Sequence, residues 1–160
     1  MKKILIITLL ILSALAAGAQ NKFYEKYADY KGVTKVYISQ AMFSMFGTSP
    51  ELSLKSGSEN IDIGKIAKDL TGLYVLSTTN PAYIKEMSND FKLMLKGLKL
   101  ELLMEVNDEG DNVEIYVNKE NNIIKDIYLS SKDASGEYTV MHISGRISEK
   151  DMMTIVKSTK

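Results

Sequence analysis

The only histidine and the only arginine of the 160-residue chain, His142 and Arg146, stand four positions apart in "VMHISGRISEKDM", with Ser144 midway between them. Alternate side chains of a strand share a face, so this spacing points His142, Ser144 and Arg146 one way and Met141, Ile143 and Ile147 the other, provided no bulge intervenes at Gly145. The apolar set is expected to face the helices. The polar trio then lies on an open face or at the strand end, where imidazole, hydroxyl and guanidinium together suit a carboxylate or phosphate. A Ser-His nucleophile pair fits poorly, because residues two apart on a strand are roughly 6.5–7 Å apart at Cα, too far for contact between parallel side chains. The plain alternative is a set of solvent-facing strand residues with no chemical task.

Other chemistries find less support. With one histidine and no cysteine, a metal site would need scattered carboxylates, and no helical His pair occurs. "NDEGDN" (107–112) lacks the ligand alternation and terminal Glu of a calcium loop and reads as a hairpin turn. Glu105 and Glu114 are placed to meet across that hairpin, but two acids alone do not define a glycosidase. Met42, Met45 and His142 have the donor types of a copper(I) site, whereas gap-filling methionines in a core are the simpler reading.

A second charged feature lies on a helix predicted from Asn80-Pro81, a strong start because Asn caps free N–H groups and Pro needs no donor. Laid out at 100° per residue to about Lys96, it gathers Ile84, Met87, Phe91, Met94, Leu95 and Leu98 on a core side. Lys85, Lys92, Lys96 and Lys99 line up beside them, and Glu86 and Asp90 form the other flank. The lysine row suits an anionic partner; as a solvated flank its stems simply cover apolar surface.

The elements that hold these residues can be read around them. Phe23, Tyr27 and Tyr30 predict an amphipathic helix closed near Gly32, followed by a strand at 33–39 and a short buried helix at 40–46. The stretch 47–64 is rich in Ser, Gly and Pro and predicts mostly loop. Ile63, Ile66, Ala67 and Leu70 share a helical face, with Gly72 expected as a left-handed cap before a strand at 73–79. Runs at 100–106, 113–117, 123–131 and 137–147, joined by short turns, predict an antiparallel meander. Ser148 with Asp151 resembles a capping box opening a last helix that turns Met152, Ile155 and Val156 inward. The class expected is α+β, a mostly antiparallel sheet with helices packed on one face; strand order is not readable.

The chain opens "MKKILIITLLILSALAAGAQ", the charged, apolar, small-residue order of a secretory signal with cleavage expected after Ala19. Its apolar run is short for a bilayer core of about 30 Å, so no membrane span is expected after cleavage. Removing 19 of the 160 residues leaves 141, a single domain over 20–160 large enough to fold without staples. Twenty basic residues balance twenty acidic ones, and loss of Lys2 and Lys3 leaves 18 against 20, which gives no nucleic-acid footprint.

The Ala-Gln signal end, "KVYISQAMFSMF", "LTGLYVLSTTN" and "ISGRISEKDMMTIV" together resemble the domain of unknown function family 4252, small exported proteins of Bacteroidetes-type bacteria. The likeness covers nearly the whole mature chain and is most recognisable at Ile143-Ser144-Gly145 followed by Ser148 and Asp151. It implies an exported compartment and a family boundary, and it carries no catalytic residues. Some members have a lipoprotein cysteine after the signal, where this chain has Gln20.

The reading as a whole is an exported, non-enzymatic domain, periplasmic or extracellular, that binds a protein or envelope component through its open sheet face or the lysine flank of Lys85, Lys92 and Lys96. No catalytic residue, cofactor, metal or nucleic-acid partner is assigned. The alternative is a small ligand-binding protein or hydrolase using the His142, Ser144 and Arg146 face.

Overall fold

The computed structural model describes residues 22–46, 53–56, 59–62 and 64–152. Helix α1 (22–28) leads to strand β1 (Thr34–Ser39) through a turn in which Gly32 has φ +94°, a left-handed conformation that a side chain would disfavour. Helix α2 (Gln40–Phe46) follows at once, then a hairpin of β2 (Ser53–Ser56) and β3 (Glu59–Asp62), a 3₁₀ helix (Gly64–Asp69) and β4 (Leu70–Thr78). Helix α3 (Pro81–Lys96) precedes the meander of β5 (Glu101–Asp108), β6 (Asp111–Glu120), β7 (Ile123–Lys132) and β8 (Tyr138–Ser148). A further helix, α4, opens at residue 149 and is described to residue 152.

Local chemistry explains the joints. Asn80 Oδ1 accepts from the Ala82 N–H at 3.0 Å while Pro81 takes the position that needs no donor, so α3 starts where the sequence predicts and runs to Lys96. Glu109 and Gly110, and then Asn121 and Asn122, have positive φ in two-residue loops, the conformation that matches strand twist in tight hairpins. At the far end the Asp151 N–H donates to Ser148 Oγ at 3.1 Å, the expected cap of α4.

The six-stranded sheet has the order β1-β4-β8-β7-β6-β5, every neighbour antiparallel. The last four strands form the meander; β4 then pairs with β8, and β1 with β4. The α+β class and antiparallel sheet are as expected, but helices cover both faces. On the aliphatic face Leu73, Ile127, Leu129, Met141, Ile143 and Ile147 pack with Phe43 of α2, Ile66 and Ala67 of the 3₁₀ helix, and Met152 of α4. On the tyrosine face Leu76, Tyr128, Tyr138 and Val140 pack with Phe23, Tyr24 and Tyr27 of α1 and Met87, Phe91 and Leu95 of α3. The reason is that β4, β7 and β8 carry large apolar residues at both parities, which leaves neither side for water. Each such buried side chain contributes about 1.5–3 kcal/mol.

Three smaller expectations change. Of α2 only Phe43 is buried among the residues whose burial is described, while Met42 and Met45 are exposed. The 47–64 stretch holds the β2–β3 hairpin where loop was expected. Ile66, Ala67 and Leu70 do reach the core, but Leu70 already begins β4 and Gly72 is a strand residue. Gly72 serves as a close approach: a Cβ there would lie 3.0 Å from Ser144 Oγ. Ile63, Ile155 and Val156 lie outside the described residues.

Candidate functional site

His142 sits at the middle of β8, the strand flanked by β4 and β7. Its register partners are Tyr74 on one side and Tyr128 on the other. Following the register outward gives one transverse row over all six strands: Tyr37, Tyr74, His142, Tyr128, Tyr116 and Leu102. The imidazole lies nearly parallel to the Tyr128 ring, centroids 4.6 Å apart at 4°, and 6.4 Å from Tyr74 at 10°. Tyr24 of α1 closes the stack, 5.1 Å from Tyr74 and 6.1 Å from His142.

His142 Nε2 is 2.9 Å from Asp126 Oδ1, and Asn118 Nδ2 donates to Asp126 Oδ2 at 3.1 Å. This is the second half of a proton relay, an acid orienting an imidazole. A relay also needs a nucleophile in contact and a route for substrate. Neither accompanies it among the described residues: His142 is 6 % exposed, and Ser144 Oγ accepts from Thr71 Oγ1 and faces the Gly72 carbonyl. The nearby phenols offer no base, since burial pushes Tyr24 and Tyr128 well above the usual tyrosine range. Their hydroxyls are buried with no hydrogen-bond partner among the described residues. The pair is therefore built as polar mortar in an aromatic layer.

The predicted trio is not brought together. Between the pairs Asp126↔Ser144 and Ile124↔Ile147, β8 contains two residues, Gly145 and Arg146, against the single Lys125 of β7. The bulge arises where the chain crosses the start of β4: a Cβ on Gly145 would lie 2.5 Å from the Asp69 carbonyl oxygen. His142 is sealed beneath α1, and Arg146 is exposed beyond the bulge. The open face expected for the trio is covered by α1. Met42 and Met45 belong to α2, which packs on the aliphatic face, so the sheet separates them from His142. No group of three or more His, Asp or Glu that could hold a metal is assembled among the described residues.

Glu105 and Glu114 do face each other across β5–β6, with Ser130 Oγ 3.5 Å from Glu114 Oε2. Lys85, Lys92 and Lys96 are exposed along α3 and make no ion pair among the described residues. The opposite flank is engaged: Lys26 lies 2.7 Å from both Glu86 and Asp90, and Tyr27 Oη donates to Asp90 at 2.8 Å. The Lys26 and Tyr27 hydrogen bonds hold the Asp90 carboxyl below its ordinary value. This clasp ties α1 to α3 and leaves the lysine side of the helix unneutralised.

Sequence reasoning missed two features. A cavity of about 150 Å³ lies between α1 and the outer strands, lined by Tyr24, Glu25, Ala28, Lys35, Val36 and Tyr74 among others. Asp126 was also missed as the partner of His142, and Asn118 as the partner of Asp126. The five-residue turn between Lys132 and Tyr138 fixes Tyr128 opposite His142, and that register was the available signal.

The arrangement defines a class: an α+β domain whose six-stranded antiparallel sheet is covered on both faces and encloses a buried histidine paired with a part-buried aspartate. No helix of the described residues is long and apolar enough to cross a membrane. The chain belongs to the family described as domain of unknown function (DUF4252), whose model matches residues 24–155 and so begins at Tyr24, the lid of the aromatic row. No curated protein and no solved structure matches the chain.

Proposed function

We propose that the chain is an exported, non-enzymatic domain that binds an anionic protein or envelope component through the lysine side of α3. The observation that carries this reading is the charge asymmetry of that helix. Its acidic flank is consumed by Lys26, whereas Lys85, Lys92 and Lys96 project into solvent without an acidic partner among the described residues. Export rests on the charged, apolar and small-residue order of residues 1–19.

The test is crosslinking in intact source cells, with recovery of the protein and identification of what is joined to it. A partner captured by the native protein and lost from the Lys85→Glu, Lys92→Glu, Lys96→Glu variant supports the reading; a partner retained by the folded variant sinks it. A second reading, small-ligand binding, draws on the cavity between α1 and β1. It calls for a compact ligand with an apolar body and charges of both signs, to meet Tyr24 and Tyr74 below and Lys35 and Glu25 at the rim.

A further inference from the structure

The two edges of the sheet are built differently. β5 carries a register break between Leu102 and Met104 and three acids, Glu101, Glu105 and Asp108. Bulges and like charges are the devices by which edge strands refuse another strand. β1 has less of this protection. Its register to β4 runs unbroken from Thr34 to Ser39, it contains no proline, and Lys35 is its single charge. Val36 is 41 % and Tyr37 52 % exposed, on opposite faces of the strand. Met42 and Met45 of α2, which continues directly from the strand, add exposed apolar surface beside it.

From these features we infer that β1 is the contact by which two copies of this chain join, antiparallel, into a continuous sheet with Tyr37 on the two-fold axis. The side chains select this register. With Tyr37 opposite Tyr37 of the second copy, Val36 meets Ile38 and Lys35 meets Ser39, so aromatic faces aromatic, aliphatic faces aliphatic and the charge faces a neutral hydroxyl. Moving the axis to Val36 keeps Val36 against its own copy but sets Thr34 against Ile38 and Lys35 against Tyr37, which mixes polar with apolar at both flanking pairs. The Tyr37 register also extends the row that already links Tyr37, with a centroid separation of 4.6 Å from Tyr74, through His142 to Tyr116. The second copy continues that row in reverse order. Six residues a side make a short interface, so association is expected to be concentration-dependent and in the micromolar range.

Sedimentation velocity over a concentration series tests this, together with cysteine placement, which the cysteine-free chain makes unambiguous. Directly opposed Cα atoms of an antiparallel pair fall within disulfide reach, so Tyr37→Cys is expected to oxidise to a covalent dimer. Lys35→Cys is not, because its copy sits four residues along the strand. Tyr37→Lys places like charges on the axis and is expected to weaken association at least about tenfold, while Leu103→Lys on the β5 edge leaves it intact. If Tyr37→Lys fails to fold, the milder cysteine variants carry the test. A native protein that stays monomeric to sub-millimolar concentration overturns the inference, whether or not an added extended peptide binds β1. A dimer that crosslinks at Lys35→Cys and not at Tyr37→Cys overturns it equally.

Discussion

Replacing His142 separates a reactive histidine from a structural one. Its ring lies 4.6 Å from Tyr128 and, among the described residues, makes one polar bond, to Asp126 at 2.9 Å. In His142→Phe the stack survives and only that bond is lost. Asp126 keeps Asn118, and its side chain, 20 % exposed, regains water, so the net cost is that of one hydrogen bond, about 1 kcal/mol. In His142→Ala the stack loses its middle member under Tyr24 and between Tyr74 and Tyr128. Aromatic-to-alanine changes in cores cost roughly 3–5 kcal/mol, and the smaller imidazole belongs at about 3. The difference of about 2 kcal/mol corresponds to urea midpoints on the order of 1 M apart at ordinary slopes. Urea unfolding of the purified variants, followed by circular dichroism, measures it. If Phe unfolds as early as Ala, the bond to Asp126 and not the ring carries the site, and the account of a polar-mortared aromatic layer is wrong. If folded His142→Phe loses a captured partner or ligand that the native protein holds, the sealed imidazole has a function that this geometry does not explain.

Two further outcomes test the packing. Gly145→Ala forces a Cβ against the Asp69 carbonyl and the Leu70 Cα, both backbone, so the loss belongs at the upper end of overpacking, about 3 kcal/mol, and the melting temperature falls by roughly 2–4 °C for each of these. Gly136→Ala, where φ is +86° but no atom lies within 4 Å, serves as a control costing about 1–2 kcal/mol; equal losses would refute the close-approach argument. Burial raises the Tyr24, Tyr128 and Tyr138 phenols, Tyr138 to about 12. Because the folded values lie above the unfolded one near 10, the folded state holds more protons in that window, and stability, full below pH ~10, falls as pH rises through it. Tyrosinate absorbance and loss of circular dichroism are expected to rise together above pH ~10, and ionisation of these residues without unfolding would contradict their burial.

The parts legible in the sequence are those fixed by local chemistry. Asn80-Pro81, the Asn121-Asn122 turn and the Ser148–Asp151 cap each act within a few residues, so helix α3, the meander and the start of α4 fall where expected. Pairing β1 and β4 onto the outer side of β8 depends on contacts far apart in the chain, which no local pattern encodes. The same limit hid the site. His142 and Ser144 do share a face, as alternation requires, but which face water reaches is decided by α1, more than a hundred residues earlier. Arg146 is exposed near the strand end, but the bulge beside it was not legible: it answers the passage of Asp69 at Gly145, and nothing near residue 145 announces residue 69. The second covered face was the least visible, because Tyr74, Tyr128 and Tyr138 are apolar enough for a core yet read as amphipathic in an alternating strand.

These placements turn attention from the rare residues to the periphery. The central strands carry their tyrosine and aliphatic faces into two cores, and the sole imidazole is committed to Asp126 inside one of them. Side chains enclosed on the tyrosine face cannot meet a large partner without opening the α1–α3 cover, which the Lys26 contacts to Glu86 and Asp90 oppose. Among the surfaces that the described residues leave in reach are the unneutralised side of α3, the β1 edge and the cavity that runs beneath α1 beside that edge. The lysine side lies on the flank of α3 away from the α1 clasp, whereas Lys35 and Val36 belong to both β1 and the cavity. Self-association through β1 therefore leaves the lysine surface free but alters the cavity rim, so a ligand in the cavity and a second copy on the edge are coupled while a partner on α3 is independent of both. A dimer whose formation leaves partner capture by α3 unchanged is the combined result this arrangement requires.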